Sequence, residues 1–135
     1  MNEQWMRLNG ENLPAAEALF QKNPAHLECF RALTPAVAAR WPESVLKVHR
    51  TQVSFCDPRP FCYAWVRSRR FYVTFGLDAP IEDPRVGLVV EPYPNRWTHH
   101  VALSGANQVD DQLLDWIDLA WHFKRGSGRS TGMKG

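Results

Sequence analysis

The chain has 135 residues, of which 44% are hydrophobic and 12% aromatic; this composition suits one domain with its own core and excludes a disordered chain. Its net charge of +2 is small and arises at the C-terminal end, where four cationic residues follow the last acidic one. They are Lys124, Arg125, Arg129 and Lys134. The body of the domain therefore lacks the basic character of a nucleic-acid-binding protein. We predict a single domain over residues 1–125 and a flexible basic tail over residues 126–135.

The cysteines and the apolar segments predict a cytoplasmic protein. The first seven residues lack the apolar segment of a signal peptide, and no apolar run approaches the roughly 20 residues that cross a bilayer. An odd number of cysteines fits free thiols in a reducing compartment. Cys56 and Cys62 flank one predicted hairpin turn, so a disulfide between them is the alternative.

The N-terminal third predicts two or three helices. Residues 9–12 are polar and typical of a turn, and Pro14 suits the first position of a short helix. Asn23 followed by Pro24 predicts the N-cap of a longer helix, because an asparagine side chain can accept a bond from the first free N–H groups.

Along this longer helix apolar residues recur every three or four positions as far as Trp41, which indicates one buried stripe. Pro35 interrupts the stripe, since proline lacks the N–H that a helix interior requires. Two alternatives remain: one helix with a kink, or a separate short helix that begins at Thr34.

The middle and the end of the chain predict strands and one closing helix. Residues 45–50 predict a first strand, and three β-rich runs with two short turns follow over residues 51–75. A second hairpin is predicted over residues 86–103, and Asn107 or Asp110 begins the last helix. The predicted fold class is α+β: an antiparallel sheet of about six strands, with N-terminal helices and a C-terminal helix packed on one face.

Alternation along the predicted strands assigns side chains to two faces. We predict a bulky apolar face beneath the helices and a smaller mixed face opposite. The bulky set is Val53, Phe55, Phe61, Tyr63, Trp65, Phe71, Val73 and Phe75.

Between residues 14 and 123 the order of motifs is recognisable. After an alanine-rich helix the motifs are Lys47-Val48-His49-Arg50-Thr51-Gln52-Val53-Ser54-Phe55, Phe61 to Val66, Phe75-Gly76-Leu77-Asp78, Pro84-Arg85, Arg96-Trp97-Thr98-His99-His100-Val101, and Asp110-Asp111 before Trp116-Ile117. In this order the chain resembles a bacterial family known as domain of unknown function 5655. The resemblance implies an α+β domain with an antiparallel sheet and implies no activity, because none is established for the family.

The mixed face carries the predicted binding site. Hydroxyls, an amide and an imidazole would form a shallow polar floor with cations at its rim, and such a floor suits an anionic small molecule or a phosphate. The predicted ligand-binding residues are Lys47, Arg50, Gln52, Ser54, Tyr72, Thr74, Thr98 and His100. The arginines of the turn at residues 67–70 would add charge to the rim. The alternative is a face that is merely solvated or that forms a dimer contact.

Two adjacent histidines are the most suggestive pair of side chains. His99 and His100 point to opposite faces of a regular strand, so they cannot hold one metal ion together. We predict that His99 is a buried core histidine and that His100 is the ligand contact. Cys56 and His100 share the mixed face by parity, which leaves a nucleophile and base pair as a further hypothesis.

No motif of a hydrolase elbow, a zinc protease or a zinc finger is present in the sequence. We therefore favour a binding module without cofactor or metal over an enzyme. A protein-interaction or homodimerisation module is the alternative. A nucleic-acid-binding accessory domain is the less favoured one; it would use exposed aromatics such as Tyr72 and Tyr93 together with the cations Arg67, Arg69, Arg70, Lys124, Arg125, Arg129 and Lys134.

Overall fold

The computed structural model describes residues 2–125, and in that range it contains four α-helices, a 3-10 helix and six strands. The helices are α1 (Glu3–Asn9), α2 (Leu13–Ala18), α3 (Pro24–Arg40) and α4 (Asp111–Lys124), with the 3-10 helix at Ala106–Gln108. The strands are β1 (Val45–Val48), β2 (Gln52–Cys56), β3 (Pro60–Arg67), β4 (Arg70–Leu77), β5 (Val86–Tyr93) and β6 (Arg96–Leu103). The predicted α+β class is confirmed. The predicted tail, residues 126–135, lies outside the described residues.

All six strands form one antiparallel sheet in the order β1-β2-β3-β4-β6-β5. Strands β2 to β4 are the three β-rich runs predicted over residues 51–75, and they form an antiparallel meander; β1 is the predicted first strand and pairs with β2. The predicted second hairpin, β5 and β6, adds to β4 through β6, so β5 and β1 are the two edge strands.

The strand register gives the sheet two distinct faces. One face lies under the helices, and we call it the covered face; the other is the open face. The covered face is built from Leu46, Val53, Phe55, Cys62, Ala64, Phe71, Val73, Phe75, Val101 and Leu103, all buried. The open face carries Lys47, Gln52, Ser54, Tyr63, Trp65, Tyr72, Thr74, Thr98, His100 and Ala102.

The prediction that Tyr63 and Trp65 belong to the bulky core face is wrong. The β3–β4 turn has two central residues, Ser68 and Arg69, so Arg67 pairs with Arg70 and Trp65 pairs with Tyr72. Paired residues point to the same face, which places these aromatic rings on the open side. The smaller residues of β3, such as Cys62 and Ala64, face the helices instead because the helices take up the space there.

The core lies between the covered face and the helices. The ring of Phe71 on β4 is 5.2 Å from that of Phe20, which follows α2, and Phe20 stacks on Phe30 of α3 at 4.8 Å. Helix α4 begins at the predicted cap, Asp110, whose carboxylate accepts a hydrogen bond from the Leu113 N–H at 3.0 Å. Leu113 lies in the same core cluster as Phe71. The helices therefore cover one face, as predicted.

Helix α3 continues through its internal proline. It starts at the predicted site, where the Asn23 side chain accepts a hydrogen bond from the Ala25 N–H at 2.9 Å. Pro35 lies inside the helix, and the separate helix capped by Thr34 is not formed, because Thr34 is a buried residue of the continuous α3. Packing against the sheet holds the helix together across the missing hydrogen bond.

Helix α1 was not predicted, because its last residue, Asn9, is polar but is buried by contacts with distant parts of the chain. Asn9, expected in a polar turn, is fully buried and donates hydrogen bonds to the carbonyls of Trp5 and Ser44 at 3.1 and 3.0 Å. Its side-chain oxygen accepts one from the Leu46 N–H at 2.6 Å. These partners are 35 to 37 residues away in sequence, apart from Trp5, so local polarity gave no sign of burial.

The structure also bears on the alternative of a disulfide between Cys56 and Cys62 and on the expected lack of a membrane-spanning helix. Cys56 and Cys62 are free and buried, and the register turns them to opposite faces, so no disulfide joins them. Burial raises the pKa of the Cys62 thiol. No helix within residues 2–125 has the length and apolar character needed to cross a membrane.

Candidate functional site on the open sheet face

At the centre of the open face three side chains form a chain of hydrogen bonds across three strands. The indole N–H of Trp65 on β3 donates to Thr74 Oγ1 on β4 at 2.7 Å, and Thr74 Oγ1 lies 2.8 Å from Nδ1 of His100 on β6. An indole N–H can only donate, so the Thr74 hydroxyl accepts from Trp65 and is free to donate its own proton to His100 Nδ1. In this direction His100 carries its proton on Nε2, which is left as a donor for a ligand.

Burial favours the neutral form of this histidine. His100 is half-buried, and burial lowers its pKa below the usual value because the charged form loses solvation. The ring of His100 meets the edge of Trp65 at 5.6 Å, and Trp65 stacks on Tyr72 at 4.8 Å with 22° between the planes. The Trp65 and His100 ends of the polar chain are therefore also held by aromatic packing, on Tyr72 and on each other.

A shallow pocket lies over this cluster. Its volume is about 470 Å³, which is within the usual range for small-molecule sites. Its walls are Trp65, Arg67, Ser68, Arg70, Tyr72, Gly87, His100 and Ala102. Aromatic surface and imidazole form the floor, and the two arginines that flank the β3–β4 turn bring positive charge to one end.

The turn itself has an uncommon backbone. Ser68 and Arg69 both have positive φ, 53° and 66°, a conformation that favours glycine or asparagine. His26 of α3 contacts the Arg69 carbonyl through Nε2 at 3.2 Å, which ties the turn to the helix layer. The Arg69 side chain does not line this pocket: with Arg70 and His26 it borders a separate cavity next to α3.

The register brings seven of the eight predicted site residues onto one face, but not into one pocket. Lys47, Ser54, Thr74 and His100 lie in one row across the sheet. Strands are spaced by about 4.8 Å, so Lys47 on the edge strand is roughly 14 Å from Thr74. Arg50 lies between β1 and β2, outside the paired residues. The cationic residues that line the pocket are Arg67 and Arg70, which flank the β3–β4 turn.

Two predicted residues are already engaged in the protein. Ser54 is fully buried, and its hydroxyl lies 2.8 Å from His49 Nε2 and 3.6 Å from Cys56 Sγ. Thr74 is 8% exposed and acts through its neighbours. Tyr72 and His100 line the pocket, whereas Gln52 and Thr98 are half-buried on the open face outside its walls.

His99 is the buried core histidine that was predicted. It lies on the covered face, stacks on Phe75 with 9° between the rings, and accepts a hydrogen bond at Nε2 from the Ile81 N–H at 3.0 Å. Its Nδ1 lies 3.0 Å from the Trp97 carbonyl and donates to it. Burial lowers the pKa of His99. Both ring nitrogens therefore form hydrogen bonds with the backbone, and the bond to Ile81 holds the loop before β5 against β6.

Neither the nucleophile hypothesis nor a metal site has support in the geometry. Cys56 is buried on β2, three strands from His100 on β6 and in a different row, so the thiol and the imidazole are more than roughly 14 Å apart. Within residues 2–125 no three histidine, cysteine, aspartate or glutamate side chains come together as a metal site would require.

Trp65 is the site residue that sequence reasoning missed, because its size placed it in the core. A signal was present in the turn. A two-residue turn at Ser68 and Arg69 pairs Trp65 with Tyr72, and Tyr72 was already assigned to the mixed face. Fixing the register from the turn before assigning faces would have found it.

Fold and site define a small α+β domain whose antiparallel sheet is covered by helices on one face and carries an aromatic and cationic pocket on the other. A family model described as "Domain of unknown function (DUF5655)" matches residues 16–124. The chain belongs to this family, which confirms the resemblance seen in its motifs. No curated protein and no solved structure gives a significant match.

Proposed function

We propose that this protein is a binding module and that the pocket on its open face takes a planar, anionic small molecule. The observation that carries the proposal is the chain from Trp65 through Thr74 to His100. It turns an imidazole Nε2 toward the face, beside the stacked Trp65 and Tyr72 rings. A planar ligand would lie against these rings and accept a hydrogen bond from His100.

The charge of the pocket supports an anion. Arg67 and Arg70 line one end, and within residues 2–125 neither forms an ion pair with a carboxylate. A guanidinium presents parallel N–H groups that match the two oxygens of a carboxylate or phosphate. The ligand class that fits is an aromatic carboxylate or a heterocyclic phosphate.

A thermal-shift and calorimetric screen with aromatic carboxylates and nucleoside monophosphates tests the proposal. We expect at least one compound to raise the melting temperature, and we expect Arg70→Gln and His100→Ala to weaken its binding at least about tenfold, since each removes a charge-assisted or oriented hydrogen bond. Arg31→Gln is the matched control, because Arg31 is exposed on α3 and pairs with Glu17. A screen without any binder, or equal binding by all variants, would refute the proposal.

A second candidate function is self-association through the edge strand β5. This strand has eight residues, and the side chains of Val90 and Tyr93 are 41% and 67% exposed, respectively. Free edges pair readily with another strand. Light scattering over a range of concentrations tests this, with Val90→Lys as the variant: a dimer that dissociates in the variant supports association, and a monomer at all concentrations contradicts it.

A further inference from the structure

A second, smaller pocket lies at the opposite end of the open face, where three separate elements bring cations together. Its volume is about 170 Å³, and it is lined by Arg59, Pro60, Tyr63, Arg96, Phe123 and Lys124. Arg59 comes from the β2–β3 turn, Arg96 from the first residue of β6, and Lys124 from the last turn of α4. The three charges are far apart in sequence, so only the fold assembles them.

The three cations are crowded, and among residues 2–125 no acidic side chain forms an ion pair with Arg59, Arg96 or Lys124. Asp57, in the same turn as Arg59, is engaged elsewhere: its carboxylate accepts the Trp121 indole N–H at 3.0 Å and pairs with Arg125 at 3.7 Å.

The walls of the pocket hold the charges in position. Arg96 Cζ and Lys124 Nζ lie 5.9 and 5.6 Å from the centre of the Phe123 ring, which is buried, so both cations pack on one aromatic side chain. The Lys124 ammonium rests above Gly76, where an added Cβ would be 3.8 Å from Nζ. That distance is an ordinary van der Waals contact, so Lys124 lies close over the backbone of β4 on the open face.

The crowding of Arg59, Arg96 and Lys124 lowers the folding stability of the chain. Burial lowers the pKa of Lys124, and the positive charges of Arg96 and Arg59 lower it further. Like charges held together without a counter-charge destabilise the folded chain, and a bound anion removes both the repulsion and the loss of solvation.

We propose that this pocket is a binding site for one tetrahedral oxyanion, either inorganic phosphate or the phosphate of a monoester. A volume of 170 Å³ accepts a single such group, and two guanidiniums and an ammonium supply more donors than its oxygens need. Tyr63 adds a phenol to the wall.

The pocket formed by Arg59, Arg96 and Lys124 (the oxyanion pocket) is separate from the pocket over Trp65 and His100 (the aromatic pocket). Arg96 precedes His100 by four residues, or about 13 Å along the strand at the usual rise. No residue lines both pockets. Either site can therefore bind its ligand without the other.

Calorimetry and thermal unfolding with sodium phosphate, against sodium chloride at equal ionic strength, test the oxyanion site. We expect phosphate to raise the melting temperature of the full chain and to bind at least about tenfold more weakly to Lys124→Met and to Arg96→Gln, because each loses a charge-assisted hydrogen bond. Without phosphate, Lys124→Met should melt at a higher temperature than the wild type, since the repulsion is relieved. Lys22→Met is the matched control, because Lys22 is exposed in the connection before α3.

A second arm compares inorganic phosphate with glycerol phosphate, a monoester that lacks the aromatic ring expected to bind at Trp65 and Tyr72. Tighter binding of the monoester assigns the site to a phosphorylated metabolite, and tighter binding of inorganic phosphate assigns it to the free ion; both support the site. The proposal is overturned if phosphate acts no differently from chloride, or if Lys124→Met and Arg96→Gln respond to phosphate as the wild type does. Backbone amide NMR signals recorded during a phosphate titration give a further check. If only signals of residues around Trp65 shift, the proposal is also overturned, and the pocket over Trp65 and His100 is the anion site instead.

Discussion

His99 and His100 are adjacent in β6, but their side chains lie on opposite faces of the sheet. On the covered face His99 has a partner at both ring nitrogens and stacks on Phe75. On the open face His100 uses only Nδ1 in its hydrogen bonds with residues 2–125, through Thr74, and its ring borders a pocket. Burial lowers the pKa of both side chains.

The comparison shows how one strand serves stability on one side and recognition on the other. Where polar atoms are paired and buried, a substitution acts on the free energy of unfolding. Where a polar atom is oriented by the protein and left free at its outer end, a substitution should act on binding first. The following predictions separate these two effects.

The largest effect is expected at a covered-face aromatic. Phe71 is fully buried and contacts Phe20, so Phe71→Ala should lower the free energy of unfolding by about 3–5 kcal/mol. Its neighbour Tyr72 is half-buried on the open face, and Tyr72→Ala should cost clearly less. Urea unfolding of both variants measures the difference, and equal losses would contradict the assignment of the two faces.

The next effect is expected at His99. His99→Phe keeps a ring against Phe75 but leaves the Ile81 N–H and the Trp97 carbonyl without their partner, so we expect a loss of about 1–3 kcal/mol. His100→Phe is the control and should cost less. A larger loss at His100 would reverse the comparison.

The same histidine predicts a pH dependence. Because burial lowers the pKa of His99 in the folded protein, the unfolded chain takes up a proton first as the pH falls below about 6.5, and stability declines from there. Above that pH both states are neutral and the full stability is present. Unfolding curves between pH 8 and pH 5 should show the decline in the wild type and a flatter profile in His99→Phe. Equal slopes would contradict the prediction.

A smaller effect is expected in the hydrogen-bond chain of the open face. Thr74→Val keeps the shape of the side chain and removes the hydroxyl between Trp65 and His100, which should cost about 1 kcal/mol. The NMR signals of the His100 imidazole should then indicate a ring that changes its orientation more freely than in the wild type. Thr98→Val is the control, because its hydroxyl takes no part in this chain. Identical His100 spectra in wild type and Thr74→Val would argue against the orienting role.

The smallest effect is a gain in stability. Arg69 has φ of 66°, so Arg69→Gly should raise the free energy of unfolding by up to about 1 kcal/mol. Arg69→Ala removes the same charge but keeps the strain, and it should bring no gain. Thermal unfolding of both variants separates relief of strain from relief of charge repulsion; equal gains would show that charge is the cause.

Much of the fold could be predicted because its signals are local. Asn23 and Asp110 cap helices through their own side chains, and the β-rich runs between short turns read directly as a meander. Helix α1 was missed because the partners of Asn9 lie across the domain. The seven open-face residues were found because strand alternation held on β1, β2, β4 and β6, whereas on β3 residue size misassigned Tyr63 and Trp65.

By itself the sequence determined the order of the elements after α1, the N-caps of α3 and α4, and the opposite orientation of His99 and His100, since these follow from near-neighbour chemistry and strand alternation. The tertiary structure alone decided which face the helices cover and which side chains meet across strands. The pairing of Trp65 with Tyr72, and the convergence of Arg59, Arg96 and Lys124, depend on register and helix placement. Those are set by the packing of the whole core, and no local pattern encodes them.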